Sequence, residues 1–397
     1  MSKAYDLIVV GAGAAGLYVA IASHKLGLKR VLIIDREEAR FGGDCLNVGC
    51  VPSKALLHVA RLVHAARAAE PFGLRVEGEL DMRRAVAYLD ERRDTIRRHE
   101  DPAYLLSLGI DVAIGEARFV SRNALEVDGQ TYAAKKFVLA VGSVPRTLDV
   151  PGADRVKLYT NESVFDLEAL PKRLLVVGGG PIGTEMSQAF RRLGAAVEVV
   201  DSGERILAKD PPETAHVLQE QLKTEGIVYH HETKVTAFTG LDTAEVERKD
   251  GTKQHLRFDA VLAAVGRELR FEALQLDRAE VAVEEGKIKV DEYLQTTNPR
   301  VFVCGDAVGQ LQFTHAAGLH GRLLVNNFFY PGPLRRKVSY DRFSWVTYTD
   351  PEVATFGLME PQLEKRGMKY EKLTYDFTED DRAVIEGYPW AKMVLYT

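Results

Sequence analysis

Only three cysteines and two tryptophans occur in 397 residues, and neither sign of charge dominates: 52 basic side chains stand against 57 acidic ones, a formal net charge of -5. Three cysteines are too few for a disulfide-stapled secreted scaffold. The near balance of charge provides no basic surface for nucleic acid. Long apolar runs are also missing. Stretches such as Leu174 to Val177 and Phe137 to Val141 fall far short of the roughly 20 residues that cross a bilayer. The N-terminus runs straight into a strand-like segment, Tyr5 to Val10, without the regions of a signal peptide. The expectation is a soluble cytoplasmic protein of roughly two or three domains, each with its own core.

What is present is a repeated architecture. DLIVV leads into GAGAAG, a helical stretch from Leu17 to Leu26, and VLIID ending at Asp35. Downstream, RLLVV leads into GGGPIG, a helical stretch from Thr184 to Leu193, and AVEVVD ending at Asp201. Each copy carries G-x-G-x-x-G between a strand and a helix, as Gly11, Gly13 and Gly16 and as Gly178, Gly180 and Gly183. The first glycine allows a tight turn, the second lets backbone approach a pyrophosphate, and the third lets helix pack on strand. Asp35 and Asp201 lie at the distance expected of ribose-binding acids. A single such motif is weak, since an empty glycine turn reads the same. Two copies in strand-turn-helix context point to two dinucleotides.

Between the copies, Asp81 to Ser107 reads as one charged amphipathic helix, and Ile110 to Val141 as short strands turning at Ser121-Arg122-Asn123 and Asp128-Gly129. Ile227 to Val265 is again alternating and turn-rich. From about Val338 the character changes, with Trp345, Tyr348 and a Thr349-Asp350-Pro351 turn suggesting a third domain. That domain reads as incomplete, because KMVLYT ends in a strand-like run.

Cys45 and Cys50 lie five positions apart in GGDCLNVGCVPSKALL, whereas Cys304 sits in an apolar segment and reads as an inert core residue. A zinc site needs about four ligands, and His58 and His64 complete no such set, so no metal is expected. Pro52 suits a first helical turn, which puts Cys50 at a helix start where amides and dipole favour a thiolate. Lys54, one turn on, adds positive charge. In a regular helix residues five apart are separated by roughly 7.5 Å along the axis, beyond the normal reach of a disulfide, about 4.4 to 6.8 Å between Cα atoms. The loop is therefore expected to be irregular, with Gly43 and Gly49 permitting it, and a disulfide there to be easily reduced. Two buried free thiols are the alternative.

This segment resembles the active-site disulfide of the flavoprotein disulfide reductases, the class I pyridine nucleotide-disulfide oxidoreductases, and is most similar to the dihydrolipoamide dehydrogenase and mercuric reductase branch. The likeness extends through KKFVLAVGSVPR, the second glycine motif, DAVLAAVGR, VFVCGDAVG and WVTYTDPEVATFG. It implies an α/β fold with two Rossmann-like doubly wound dinucleotide-binding domains, for FAD and NAD(P), plus an incomplete C-terminal α+β dimerisation domain. The implied division is 1–150 and 271–337 for FAD, 151–270 for NAD(P)H, and 338–397 for dimerisation. The resemblance implies FAD and NADH or NADPH as cofactors, a homodimer, and hydride passing from NAD(P)H through FAD to the Cys45/Cys50 disulfide and on to a small disulfide or soft electrophile. Cys50 then looks like the thiolate against the flavin and Cys45 like the exchanging thiol. Lys54 and Glu185 match a pair near flavin and nicotinamide. Asp306 matches the acid on the FAD ribityl chain, and Thr314, His315 and Ala316 a helix start at the pyrimidine edge. Asp35, Gly43 and Gly142 belong with FAD, and Glu185, Asp201 and Gly266 with NAD(P)H. A carboxylate at Asp201 repels a 2'-phosphate and favours NADH, although Arg205 is placed to swing toward a phosphate.

Two departures stand out. Family members usually continue into a His-Pro and Glu pair, whereas the last histidine here is His320. Asp44 stands where lipoamide dehydrogenases usually have threonine, and is expected to disfavour a thiolate on Cys45 by like charge. Two other readings compete: a flavin NADH oxidase or quinone reductase with incidental cysteines, and a catalytically inactive dinucleotide-binding sensor.

Overall fold

A computed structural model describes residues 4–330 and 332–397. They form two compact units. The first takes the chain up to Pro52, Leu89–Val144 and Arg267–Ser339; the second takes Ser53–Tyr88, Pro145–Gly266 and Tyr340–Thr397.

The first unit is built on a seven-stranded sheet. Ala4–Val10 lies parallel between Val31–Asp35 and Gln130–Leu139, with Val9 opposite Ile33 on one side and Val138 on the other. Asp111–Ile114 extends one edge, and Val301–Val303 joins Gln130–Leu139 in parallel. The inner parts of the central strands, residues 7–10, 31–34 and 137–139, are apolar because both faces are covered there, the pattern of a buried parallel sheet. Leu7, Ile8, Leu32, Ile33, Phe137 and Val301 are completely buried. The turns expected at 121–123 and 128–129 join the antiparallel strands Arg118–Ser121, Ala124–Val127 and Gln130–Leu139.

The second unit repeats the plan. Arg173–Val177 lies parallel between Ala196–Val200 and Ala260–Ala263, with Val176 opposite Val199 and Leu262. An antiparallel sheet of Thr233–Phe238, Thr243–Arg248 and Lys253–Arg257 accounts for the alternating stretch. Two hairpins follow, Ser344–Thr347 with Val353–Phe356 and Lys372–Asp376 with Lys392–Tyr396. The strand that reads as an open end at KMVLYT is thus paired along one side.

The single helix expected over 81–107 is two, Met82–Arg97 and Pro102–Ser107. Asp101 accepts a hydrogen bond from the Tyr104 amide at 2.7 Å and Pro102 follows it, a helix start that periodicity alone did not separate.

Candidate functional site

Both glycine motifs are built alike. Gly11 and Gly178 have φ of +103° and +111°, and a Cβ on either would stand 2.3 or 2.4 Å from the oxygen of Ala140 or Ala264. No residue but glycine permits that turn against the neighbouring strand. A Cβ at Gly16 or Gly183 would stand under 2 Å from the oxygen of Gly11 or Gly178, so helix and strand touch there. The helices Ala14–Lys25 and Pro181–Leu193 begin after Gly13 and Gly180, and neither N-terminus has a side-chain cap or an acid in its first turn. Their first amides are thus directed at whatever anion enters.

In the first unit Gly43 packs on Gly13, where a Cβ would lie 2.6 Å from the Gly13 Cα. Asp35 accepts from the Ala12 and Arg36 amides, each at 2.7 Å, and so fixes the glycine turn as well as ending its strand. Gly142 follows the central strand with open space where a side chain would stand. Closed backbone, uncapped amides and an acid at the strand end fit a dinucleotide.

The cysteine loop follows directly. Gly43–Asn47 is a short helix, and a second helix, Cys50–Ala68, starts at Cys50 itself. The break at Val48 and Gly49 supplies the expected irregularity, and a Cβ on Gly49 would meet the Asp44 carbonyl at 2.6 Å. Asn47 locks the loop: its amide donates to the carbonyls of Phe41 at 3.1 Å and Gly43 at 2.9 Å, while its oxygen accepts from Arg97 at 2.9 Å. Cys45 and Cys50 are half-buried thiols. Cys50 Sγ lies 3.1 Å from the hydroxyl of Thr314, the first residue of the helix Thr314–Phe329. A hydrogen bond to Cys50 raises the Cys45 thiol well above the ordinary thiol range, followed by burial and the charge of Cys50. Cys304 is completely buried, and desolvation pushes it up to about 12, in keeping with an inert core residue.

The expected repulsion between Asp44 and Cys45 is not what the geometry shows. The Asp44 carboxylate is paired with the Arg267 guanidinium, and the carboxylate whose charge bears on Cys45 is Glu100. Arg267 Nε also donates to Ser143 Oγ at 2.7 Å and lies 3.6 Å from Asp306 Oδ2, while Ser143 Oγ donates to Asp306 at 2.6 Å. Burial raises the Asp306 carboxyl; Ser143 and Arg267 oppose it and Asp44 adds to it. Arg267, Ser143 and Glu100 were not singled out from the sequence. Arg267 and Ser143 stand beside Gly266 and Gly142, and that adjacency was the available signal. Ala316 is fully buried, and the His315 ring packs on Phe313 at 5.3 Å.

In the second unit a cavity of about 400 Å³ is lined by Gly178, Gly179, Gly180, Val200, Asp201 and Ser202. Asp201 accepts from the Gly179 amide and from the Gly203 amide at 2.6 Å. A cavity of this size over a glycine turn fits a dinucleotide. Gly266 follows the strand Ala260–Ala263 with open space at its Cβ position. The alternative of Arg205 swinging toward a phosphate is not the arrangement seen: its guanidinium donates to the carbonyls of Ile206, Leu207, Ala208 and Asp210 at 2.6 to 3.2 Å. Lys54 and Glu185, 131 positions apart, form an ion pair at 2.9 Å, so the Lys54 charge is matched locally. Glu185 is 4 % exposed and accepts also from the Tyr348 amide at 2.9 Å. Among the described residues no group of three or more His, Cys, Asp or Glu side chains is placed to hold a metal ion.

Two dinucleotide cradles, a contacting cysteine pair and an ion pair of half-buried Lys54 with buried Glu185 define a dinucleotide-dependent oxidoreductase. Residues 5–321 match the family described as pyridine nucleotide-disulphide oxidoreductase, and residues 343–396 match its dimerisation domain. The chain belongs to this family; it is an oxidoreductase that uses FAD and NAD(P)H and acts through a redox-active disulfide. It is 35% identical over 394 residues to a dihydrolipoyl dehydrogenase of Thermus scotoductus, covering 97% of this chain and 83% of that protein. It is 30% identical over 390 residues to a mercuric reductase of Lysinibacillus sphaericus, covering 96% and 70%. In fold it is similar to the HOCl-induced flavoprotein disulfide reductase RclA from Escherichia coli, with a TM-score of 0.85 and 24% identity over 99% of this chain and 86% of that one. Among the described residues no helix is long and apolar enough to cross a membrane.

Proposed function

We propose that the protein uses NADH to reduce a small disulfide, or another soft electrophile, through Cys45 and Cys50. The observation that carries this reading is Cys50 held against Cys45 and the Thr314 hydroxyl in the unit that contains the first glycine cradle. Bound FAD supplies the two-electron relay between nicotinamide and the sulfur pair. On the side of the chain, the Cys45 sulfur attacks a substrate disulfide: a mixed disulfide forms, the substrate S–S bond breaks, and one thiol leaves with a proton. Cys50 then attacks Cys45, closing the protein disulfide and releasing the second thiol. The hydrogen bond between the Thr314 hydroxyl and the Cys50 sulfur holds that sulfur for this step.

Gly11, Gly13, Gly16, Asp35, Gly43, Gly142, Asp306, Thr314, His315, Ala316 and Lys54 are assigned to FAD. Gly178, Gly180, Gly183, Glu185, Asp201 and Gly266 are assigned to the nicotinamide dinucleotide. NADH is preferred because the Asp201 carboxylate at the cavity would accept from a free ribose hydroxyl and repel a 2'-phosphate, and Arg205 is already engaged by four carbonyls. The domain limits 1–150 with 271–337, 151–270 and 338–397 follow the same reading, as do a homodimer and a cytoplasmic location.

The test is anaerobic NADH addition to the holoenzyme, followed by alkylation and mass spectrometry of the cysteine peptides. Alkylation of Cys45 and Cys50 only after NADH, and loss of disulfide reduction in Cys45→Ser and Cys50→Ser, is the expected result. Unchanged turnover in both variants would instead support the oxidase or quinone reductase reading, and no reduction by NADH at all the inactive sensor.

A further inference from the structure

Three contacts converge on Tyr348, just after the strand Ser344–Thr347. Its amide donates to Glu185 Oε1 at 2.9 Å, its ring centroid lies 4.4 Å from Lys54 Nζ, and its carbonyl accepts from Arg61 at 3.1 Å. The segment that follows is gripped as firmly. Gln188 accepts from the Asp350 amide at 2.7 Å and donates to the Asp350 carbonyl at 2.6 Å, and Arg192 pairs with the Asp350 carboxylate at 2.6 Å. Glu185, Gln188 and Arg192 are spaced by three and four on one helix, so a single helical face holds the backbone of residues 348–350. Tyr348 lies within the stretch that matches the dimerisation domain, whereas Lys54 and Glu185 lie within the stretch that matches the oxidoreductase family proper.

We propose that Tyr348 is a positioning residue for the Lys54–Glu185 pair. The Glu185 carboxylate is fixed by the Tyr348 amide, and the Lys54 ammonium is held between that carboxylate and the Tyr348 ring. An ammonium over an aromatic face is attracted by the ring's negative face, and the more so where solvent is partly excluded. The Lys54 side chain is 35% exposed, so without the ring its four-carbon stem regains rotamers and the ion pair loses its single geometry. This reading gives the dimerisation segment a direct hand in the geometry of the pair. It rests on the proposed catalytic placement of Lys54 and Glu185 for its consequence in turnover, but not for the contact itself.

The contact is tested on the holoenzyme with Tyr348→Phe, Tyr348→Leu and a series of progressively fluorinated phenylalanines at 348, which weaken the ring face without changing its shape. Lys54 is labelled competitively with acetic anhydride and read by mass spectrometry against exposed Lys249. Tyr348→Phe should label like the parent, with labelling of Lys54 rising about 2- to 10-fold along the fluorinated series and in Tyr348→Leu. Turnover with NADH should fall in the same order, with KM for the disulfide little changed. Labelling that is flat across the fluorinated series would overturn the proposal even if Tyr348→Leu fails to fold. Graded labelling with unaltered turnover would keep the contact and reject its catalytic consequence.

Discussion

At the scale of single residues, charge placement governs the site. Arg267 is 12 % exposed in its side chain and serves two carboxylates, Asp44 and Asp306. Burial is the main influence raising Asp306, with Arg267 opposing it, so removing the guanidinium leaves two charges without their shared partner. Arg267→Met is expected to lower the stability of the protein at neutral pH by about 2 kcal/mol. The sign with pH follows: a raised folded pKa favours the protonated form, so the penalty should shrink as pH falls toward the ordinary carboxylate value, measurable by urea unfolding at pH 7 and pH 4. His320 acts in the opposite sense. It is fully buried, accepts from the Gly305 amide at 3.2 Å, and is pushed by desolvation from 6.5 to about 4. Its folded value lies below its unfolded one, so the stability it contributes is complete above about 6.5 and lost as pH falls to about 4. The gap corresponds to about 3 kcal/mol. His320→Gln should flatten the acid limb of a stability-versus-pH curve between those values; an unchanged limb would assign the acid sensitivity elsewhere.

At the scale of elements, the cysteine loop depends on one side chain. Asn47 satisfies carbonyls before and at the start of the short helix Gly43–Asn47 and ties it to Arg97. Asn47→Ala should cost about 1 to 3 kcal/mol by leaving these carbonyls unmade. Faster hydrogen exchange confined to residues 41–50 would be the signature of this lock. A uniform change across the chain would show a general loss of stability instead. Elsewhere in the second unit Arg192, with a side chain 5 % exposed, pairs with Glu225 at 2.7 Å as well as with Asp350. Because loss of one partner leaves a buried guanidinium half matched, Glu225→Gln should destabilise by about 3 kcal/mol in denaturant titration.

At the scale of the whole molecule, the C-terminal hairpin leaves apolar surface in the open. Leu373 faces Leu395 and Tyr375 faces Met393 across it, and all four are between 40% and 50% exposed. Residues two apart on a strand share a face, so these side chains form one apolar patch. A homodimer that covers it predicts that Leu373→Glu yields monomers in sedimentation equilibrium at concentrations where the parent is dimeric. Unaltered mass would remove this patch from the interface.

The sequence by itself determined both glycine cradles, their strand-turn-helix setting, the start of a helix at Cys50 and the irregular loop before it. Those features are local: they follow from steric demands on glycine and proline and from the period of apolar residues, which act over a few positions. Motif resemblance also brought Lys54 and Glu185 together as a pair, which the structure forms. Only the tertiary structure decided which other charges meet. Asp44 turned to Arg267, 223 positions away, instead of to its neighbour Cys45, and Arg205 turned onto four nearby carbonyls instead of the dinucleotide cavity. Tyr348 likewise reached Lys54 and Glu185 only through folding. A side chain's charge is written in the sequence, but its partner is selected by distance and desolvation, and both depend on contacts between residues far apart in the chain.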